Sequence, residues 1–390
     1  MRITNVFVYT EDHRFIPGTI TIEDDRIVSV SDAQKDVNTY DMSKEDVIDG
    51  KGGYAIPGMI DLHFHGCKGY DLCDGTKEAI EEIAKYEASI GVTGIAPATM
   101  TLSVEDLEAV LKNAADFKKR QETEKIGADL LGINMEGPFI SHVKKGAQDE
   151  RNILPCDLSV YRRFQKAAEG LVKFIGVAPE ESENACEFIT AIKDEVSVSL
   201  AHTNADYDSA IRAIDAGANH AVHLCNAMPA FTHREPGVIG AVADRKKVMA
   251  EIICDGIHIH PAAVRGLFQM MGADRMILIS DSIRAAGMPD GTYLLGGLDV
   301  IVKGKYATLA SDGALAGSVT PLPDCVRTIV KQMGMPLETA IACATENPAK
   351  SLGVYDTYGS ISVGKKANIV LWNKELELVS VIKDGKILRL

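Results

Sequence analysis

Apolar and polar positions follow two different rhythms along this chain of 390 residues. Near the start, residues 3–9 and 19–30 switch between apolar and polar side chains, with Pro17-Gly18 between them. A period of two sends successive side chains to opposite faces of a strand, and Pro-Gly favours a turn, so this region predicts paired strands. The other end behaves in the same way. Residues 369–372 form a short apolar strand pattern, and 378–387 predict a hairpin around Lys383-Asp384-Gly385. Between the ends the rhythm changes. Short apolar runs at 130–135, 172–177, 196–200, 248–253 and 276–279 alternate with stretches such as 77–90, 104–119, 206–216 and 336–344, whose apolar residues recur at i, i+3 and i+4. That recurrence marks helices with one buried face. Strand-helix alternation over such a span implies a parallel sheet covered by helices. About eight units can be counted, which fits a (β/α)8 barrel of ~250 residues. A doubly wound open sheet competes, but no Gly-x-Gly-x-x-Gly follows the first strand. The expected organisation is α/β: a (β/α)8 TIM-like barrel over residues 54–354, with a small β domain from 1–53 and 355–390 where the chain ends meet.

Composition narrows the partners. Hydrophobic residues make up 46% of the chain and charged residues 25%, enough to bury a sizeable core. The formal net charge is −14, which argues against nucleic acid and anionic membranes as partners. It leaves room for an anionic small molecule in a locally positive pocket. Met1 to Thr10 lack the basic and apolar segments of a signal peptide, and no stretch approaches the ~20 apolar residues of a membrane span. The cysteines at 67, 73, 156, 186, 225, 254, 325 and 343 contain no Cys-x-x-Cys pair, so they are expected to be thiols in a reducing, cytoplasmic compartment.

Candidate chemistry gathers at the ends of the apolar runs. In Pro57-Gly58-Met59-Ile60-Asp61-Leu62-His63-Phe64-His65-Gly66 a strand runs into His-x-His. His63 and His65 then point the same way, toward the barrel mouth where active sites of this fold sit. A lone histidine there would be an ordinary hydrogen-bonded residue; a pair suits a divalent ion such as zinc, iron, cobalt or nickel. Glu136 closes another run within Asn134-Met135-Glu136-Gly137-Pro138, where a carboxylate is costly unless compensated. His202 and His223 follow two further runs, and together these residues supply nitrogen and oxygen ligands from four strand ends. His220 sits off this register and is assigned a structural role. Asp281 follows 276–279 and is the candidate proton carrier, with a turn or helix cap as its ordinary alternative.

The Pro-Gly-x-Ile-Asp-x-His-x-His opening resembles the amidohydrolase superfamily. Within it, Met135-Glu136-Gly137-Pro138-Phe139, Lys144-Lys145-Gly146-Ala147, His202-Thr203-Asn204-Ala205, His223 to Met228, Arg234-Glu235-Pro236-Gly237, Asp255-Gly256-Ile257-His258 and Ala316-Gly317-Ser318 resemble the N-acetylglucosamine-6-phosphate deacetylases, in order along essentially the whole chain. The resemblance implies a (β/α)8 barrel with a β-sandwich from both termini, a homodimer and an amino-sugar phosphate substrate. It implies Glu136, His202 and His223 as shared metal ligands, His63 and His65 as a more variable second site, and thus one or two divalent ions per subunit. Asp281 matches the catalytic aspartate. Ala147, Asn226, Ala227, Arg234, Asp255, His258, Leu315, Ala316 and Gly317 match substrate-contacting positions, with Arg234 serving the neighbouring subunit's phosphate. One departure is Gln148, where some members carry a histidine that helps polarise the acetyl carbonyl; Gln can donate a hydrogen bond there but no proton. No candidate carbamylated lysine ligand stands among these motifs, unlike in urease-like relatives.

The implied reaction is hydrolysis of the N-acetyl group of N-acetylglucosamine 6-phosphate. Its alternatives are the same chemistry on the galactose epimer, hydrolysis or deamination of a cyclic substrate, and a barrel that binds without catalysis. The last is disfavoured because every expected ligand is present.

Overall fold

The computed structural model describes residues 1–32 and 47–388; residues 33–46 and the last two positions of the expected terminal β domain lie outside the described residues. The chain ends do meet. Lys386–Leu388, Leu378–Lys383, Ile369–Trp372, Val47–Pro57, Arg2–Tyr9, Phe15–Glu23 and Arg26–Asp32 hydrogen-bond, in that order, into one seven-stranded sheet. The sheet curls, because Ile27 on one edge and Ile382 near the other share a core cluster with Ile3, Ile20, Ile369 and Leu371. The expected terminal β domain is present as this one curled sheet. The expected turn at Pro17-Gly18 is also corrected: both residues lie inside a strand, paired with Phe7 and Val6. The reversal falls instead at Thr10–Arg14, where Thr10 N–H donates to Arg14 O at 2.9 Å.

The alternation in Ile369-Val370-Leu371-Trp372 explains how this sheet joins the rest. Ile369 and Leu371 enter the terminal core, whereas Val370 and Trp372 enter the main core beside Tyr9 and Ile56. A strand apolar on both faces is buried on both faces.

Two further parallel sheets form the body. Met276–Ile279, Met249–Ile253, His220–Ala221, Ser197–Leu200, Val172–Val177, Ile133–Phe139 and Ala98–Thr99 make seven strands in that order, and Asp129–Leu130, Val92–Ile95 and Met59–Asp61 make three. The two sheets are fragments of the same chain segments. The expected run 130–135 breaks at Leu131-Gly132, and contacts bridge the gap: Leu131 N–H donates to Ile95 O at 2.8 Å and Asn134 N–H to Pro97 O at 3.0 Å. At the far side Asp281 N–H donates to His63 O at 3.0 Å, and His65 N–H to Ser282 O at 2.7 Å. Helices Lys77–Ser89, Val104–Glu124, Tyr207–Ala216 and Leu337–Ala344 match the expected periodic stretches. Thr76, Ser103 and Asp206 start the first three by accepting N–H bonds from the first turn. A feature absent from the expectation is a meander of Gly291–Leu295, Leu298–Lys303 and Tyr306–Leu309, inserted after the last parallel strand.

Asp129 pins the terminal sheet to the body. Its carboxylate accepts from Lys383 Nζ at 2.9 Å, Lys366 Nζ at 3.0 Å and Tyr358 Oη at 2.8 Å. Burial alone would raise its pKa, but the two ammonium groups hold it below the ordinary carboxylate value. A depressed folded pKa stabilises above the unfolded value of ~4 and loses that contribution as pH falls through the folded value. Asp129→Asn is expected to cost about 3 kcal/mol at pH 7, the low end for a broken buried pair because Asp384 still faces both lysines. Urea denaturation at pH 7 and at pH 3 checks this: the deficit should shrink at the lower pH, and a pH-independent deficit would contradict the assignment.

Candidate active site

Glu136 is buried within Ile133–Phe139, a strand that continues through the expected Gly137-Pro138 turn. Its Oε1 lies 3.0 Å from His202 Nε2, 2.9 Å from His223 Nε2 and 3.3 Å from His63 Nε2. Its Oε2 lies 3.3 Å from His65 Nε2 and accepts from Gln148 Nε2 at 2.6 Å. Asp281 Oδ1 stands 3.4 Å from His65 Nε2 and 3.9 Å from His63 Nε2.

The common geometry comes from a common position. His63, His202, His223 and Asp281 each stand two residues past the last residue of a parallel strand, after Asp61, Leu200, Ala221 and Ile279. His65 follows at the next same-side position. At three of these points the backbone turns left-handed, with φ of 41° at His202, 25° at His223 and 48° at Asp281. Such a conformation costs about 1–3 kcal/mol per non-glycine residue and persists where surrounding contacts fix it. Here it swings each side chain from the strand line into the mouth. Gly317 fits the same corner: its φ is +58°, and a Cβ would meet Ile283 at 2.5 Å and Asp281 O at 3.0 Å.

The outer nitrogens show what the inner ones are for. His202 Nδ1 faces Lys144 O at 2.9 Å, His223 Nδ1 faces Asn226 O at 3.2 Å, and His63 Nδ1 faces Glu251 Oε2 at 2.7 Å. Carbonyl and carboxylate oxygens only accept, so each Nδ1 donates. A neutral imidazole then presents a lone pair at Nε2. These lone pairs face Glu136 and one another, with His202 and His223 Nε2 only 3.2 Å apart. Among the described residues, buried His63 Nε2 has no hydrogen-bond partner. The cluster therefore demands positive charge at its centre, from protons or from a cation. Proton affinities register that demand. Burial opposes a charge on His65, yet contacts with Asp281 and Glu136 push it up to about 10. Burial would raise Glu136 and Asp281, but the imidazoles hold both down, Glu136 well below the ordinary carboxylate range. Two overlapping groups have the reach to hold an ion: His63, Glu136 and His223, and His63, His65 and Asp281, with ligand atoms within 4.8 Å of one another in each. Imidazole nitrogen and carboxylate oxygen suit zinc, iron and similar divalent ions.

Above the cluster opens a cavity of about 290 Å³. Ala147, Gln148, Asn226, Ala227, His258, Leu315, Ala316 and Gly317 line it, as do His65, Glu136, His202, His223 and Asp281. Asp255 stands behind, accepting from His258 Nδ1 at 2.7 Å. Gln148 is more constrained than expected: its Oε1 accepts from Thr101 N–H at 2.7 Å while Nε2 donates to Glu136. Arg234 lies apart from the expected set, on an exposed loop outside the lining. Leu295, from the unexpected meander, does line the cavity, together with Met100 and Val143; the β-branched run Val300-Ile301-Val302 between the turn residues Gly296-Gly297 and Gly304 was its signal in the sequence.

A model of the amidohydrolase family matches residues 54–388. N-acetylglucosamine-6-phosphate deacetylase of Bacillus subtilis (strain 168) is 36% identical over 386 residues, covering 99% of this chain and 96% of the relative. N-acetylgalactosamine-6-phosphate deacetylase of Escherichia coli O157:H7 is 34% identical, covering 85% and 86%. Among solved structures, a point mutant of the N-acetyl-D-glucosamine-6-phosphate deacetylase of Mycobacterium smegmatis, in complex with N-acetyl-D-glucosamine-6-phosphate, superposes with a TM-score of 0.90 at 29% identity, covering 99% and 98%.

Glu136→Gln removes the charge on which the cluster converges. Divalent-ion affinity should fall by more than about 100-fold, beyond the loss of an outer hydrogen-bond partner. Equilibrium dialysis with zinc against the unaltered protein measures this, and unchanged affinity would remove Glu136 from the centre.

Proposed function

The chain belongs to the amidohydrolase family, and we propose that it hydrolyses the acetamide of N-acetylglucosamine 6-phosphate to acetate and glucosamine 6-phosphate. One observation carries this reading: His63, His65, His202 and His223 converge on Glu136, with Asp281 against His65 and His63, beneath a cavity of sugar-phosphate scale. The near full-length likeness to a deacetylase of that substrate supports it.

His63, His65, Glu136, His202 and His223 would hold one or two divalent ions, zinc or iron among them, with Glu136 shared. A cation held there acidifies water and polarises the amide carbonyl. Asp281, kept ionised, takes the proton of the attacking water as the O–C bond forms, and returns it to nitrogen as the C–N bond breaks. Gln148 holds Glu136 in place with one N–H while its Nε2 also faces Met100 Sδ at 3.8 Å; to reach the carbonyl it would give up that sulfur contact. Asn226, the backbone of Ala227, and His258 backed by Asp255 orient the sugar, while Ala147, Leu315, Ala316 and Gly317 shape the wall around it. Arg234, exposed on its own chain, would reach the phosphate of the neighbouring subunit in a homodimer. Phosphate binding far from the amide then holds the reacting carbonyl in place.

The same reading extends to architecture. The two parallel sheets are arcs of one (β/α)8 barrel over residues 54–354, supported by the contacts that bridge their break and by those joining Asp281 and Ser282 to the His63 segment. The described residues of 1–53 and 355–390 form the smaller unit, with the strand Val47–Pro57 crossing the junction. All eight cysteines are free thiols, which suits the cytoplasm, and no helix among the described residues is long and apolar enough to cross a membrane. The galactose epimer is the second reading, favoured by the Escherichia coli relative at 34% identity.

Acetate release from N-acetylglucosamine 6-phosphate, its unphosphorylated form and the galactose epimer tests the reaction. Release should be fastest with the phosphorylated glucose form and vanish with chelator; release from the epimer alone would move the assignment to the second reading. Asp281→Asn should lower kcat by about 10²–10⁴-fold with metal content intact. Arg234→Ala should raise KM by about 10–100-fold through a lost charged hydrogen bond and lower kcat with it, since the phosphate then no longer holds the carbonyl. Equal KM would remove it from the phosphate site.

A further inference from the structure

The geometry points to Glu251 as a positioning residue that commits His63 to present its Nε2 to a cation, a role resting on the cation reading above. Glu251 sits in the middle of Met249–Ile253, where its neighbours Ala250 and Ile252 pack into the main core. The period of two sends Glu251 the other way, with Met249 and Ile253, into the interior enclosed by the parallel strands. It is fully buried. A carboxylate in that place is costly unless donors surround it.

Four donors do. Oε2 accepts from His63 Nδ1 at 2.7 Å and from the backbone N–H of His223 at 3.2 Å. Oε1 accepts from His220 Nε2 at 2.9 Å and from Asn134 Nδ2 at 3.4 Å. The carboxylate is held at both oxygens and cannot turn. An ionised carboxylate has no proton to give, so His63 must donate from Nδ1. The lone pair of His63 is thereby placed on Nε2, which has no hydrogen-bond partner among the described residues and faces Glu136 Oε1 at 3.3 Å and Asp281 Oδ1 at 3.9 Å. His220 also gains a definite role, since it fixes the far oxygen of the carboxylate that aims His63. The other two rings have acceptors of their own, His202 at Lys144 O and His223 at Asn226 O, although the His223 backbone N–H also donates to Glu251. Loss of the Glu251 charge should therefore act selectively on the ion that touches His63.

Glu251→Gln tests this, because the amide retains the shape but turns an N–H toward one of the two imidazoles. The metal-stripped full chain and its variant are titrated with cobalt(II), following the visible absorbance of the bound ion, with bound metal counted by mass spectrometry. The variant should bind the ion at His63 about 10–100-fold more weakly, the range for a lost outer partner of a ligating histidine. Uptake by Glu136, His202 and His223 should fall far less. Excess cobalt should restore kcat with KM unaltered. A titration identical to that of the parent protein overturns the inference, as does an equal loss at every site accompanied by a fall in thermal stability, which marks a structural role. Cobalt binding by neither protein overturns the cation reading itself, and the inference falls with it. If the variant does not fold, nitrogen-15 spectra of the loaded parent protein decide: a proton on His63 Nδ1 supports the assignment, and one on Nε2 overturns it.

Discussion

Five side chains meet at the centre of this molecule with their inward atoms turned on one another: the Glu136 carboxylate and the imidazoles of His63, His65, His202 and His223. Away from water, a carboxylate needs donors and lone pairs need a positive centre. Each strand end satisfies the other only if positive charge sits between them. Asp281 is drawn into the same balance through His65, whose imidazole holds its pKa below the ordinary carboxylate value where burial alone would raise it. Asp281 and the Glu136 cluster are therefore one electrostatic unit.

The rest of the fold keeps that unit from relaxing. Each inward nitrogen of His63, His202 and His223 is aimed by an acceptor on the opposite side of its ring, and those acceptors belong to different segments: Glu251, Lys144 and Asn226. The strands beneath are clamped by apolar packing on both sides. Ile60, Phe174, Ile253 and Ile279 fill the inside, while Val92, Ile175 and Leu278 meet the helices outside. The terminal sheet adds rigidity from below through Trp372 and Tyr9, and through the Asp129 charge cluster.

The site is legible in the sequence wherever a polar residue ends an apolar run, because strand geometry alone brings such residues to one mouth. His63, His65, His202, His223 and Asp281 stand out that way. Glu136 does too, although its strand runs on past it. Residues inside a run are harder to see. Glu251 stands within 248–253, which reads as apolar when taken whole, yet a single charge in a buried strand is itself a signal. His220 reads as merely structural because its role appears only when the strand beside it supplies Glu251. The meander at 291–309 escapes because helix-strand alternation hides a short all-β insertion, and with it Leu295 in the cavity wall. The Pro17-Gly18 turn fails because pairing with the first strand overrides the local preference. Arg234 shows a different limit: its motif implies a role toward a neighbouring subunit, and on its own chain it stands exposed, outside the cavity lining.

The central claim is that the cluster closes around a divalent ion. Crystals of the zinc-loaded protein, measured on both sides of the zinc absorption edge, test it directly. The account predicts an anomalous peak about 2.0–2.2 Å from a Glu136 oxygen and from imidazole nitrogens of the cluster. Zinc found only elsewhere, with Glu136 still bonded directly to the imidazoles, would contradict it.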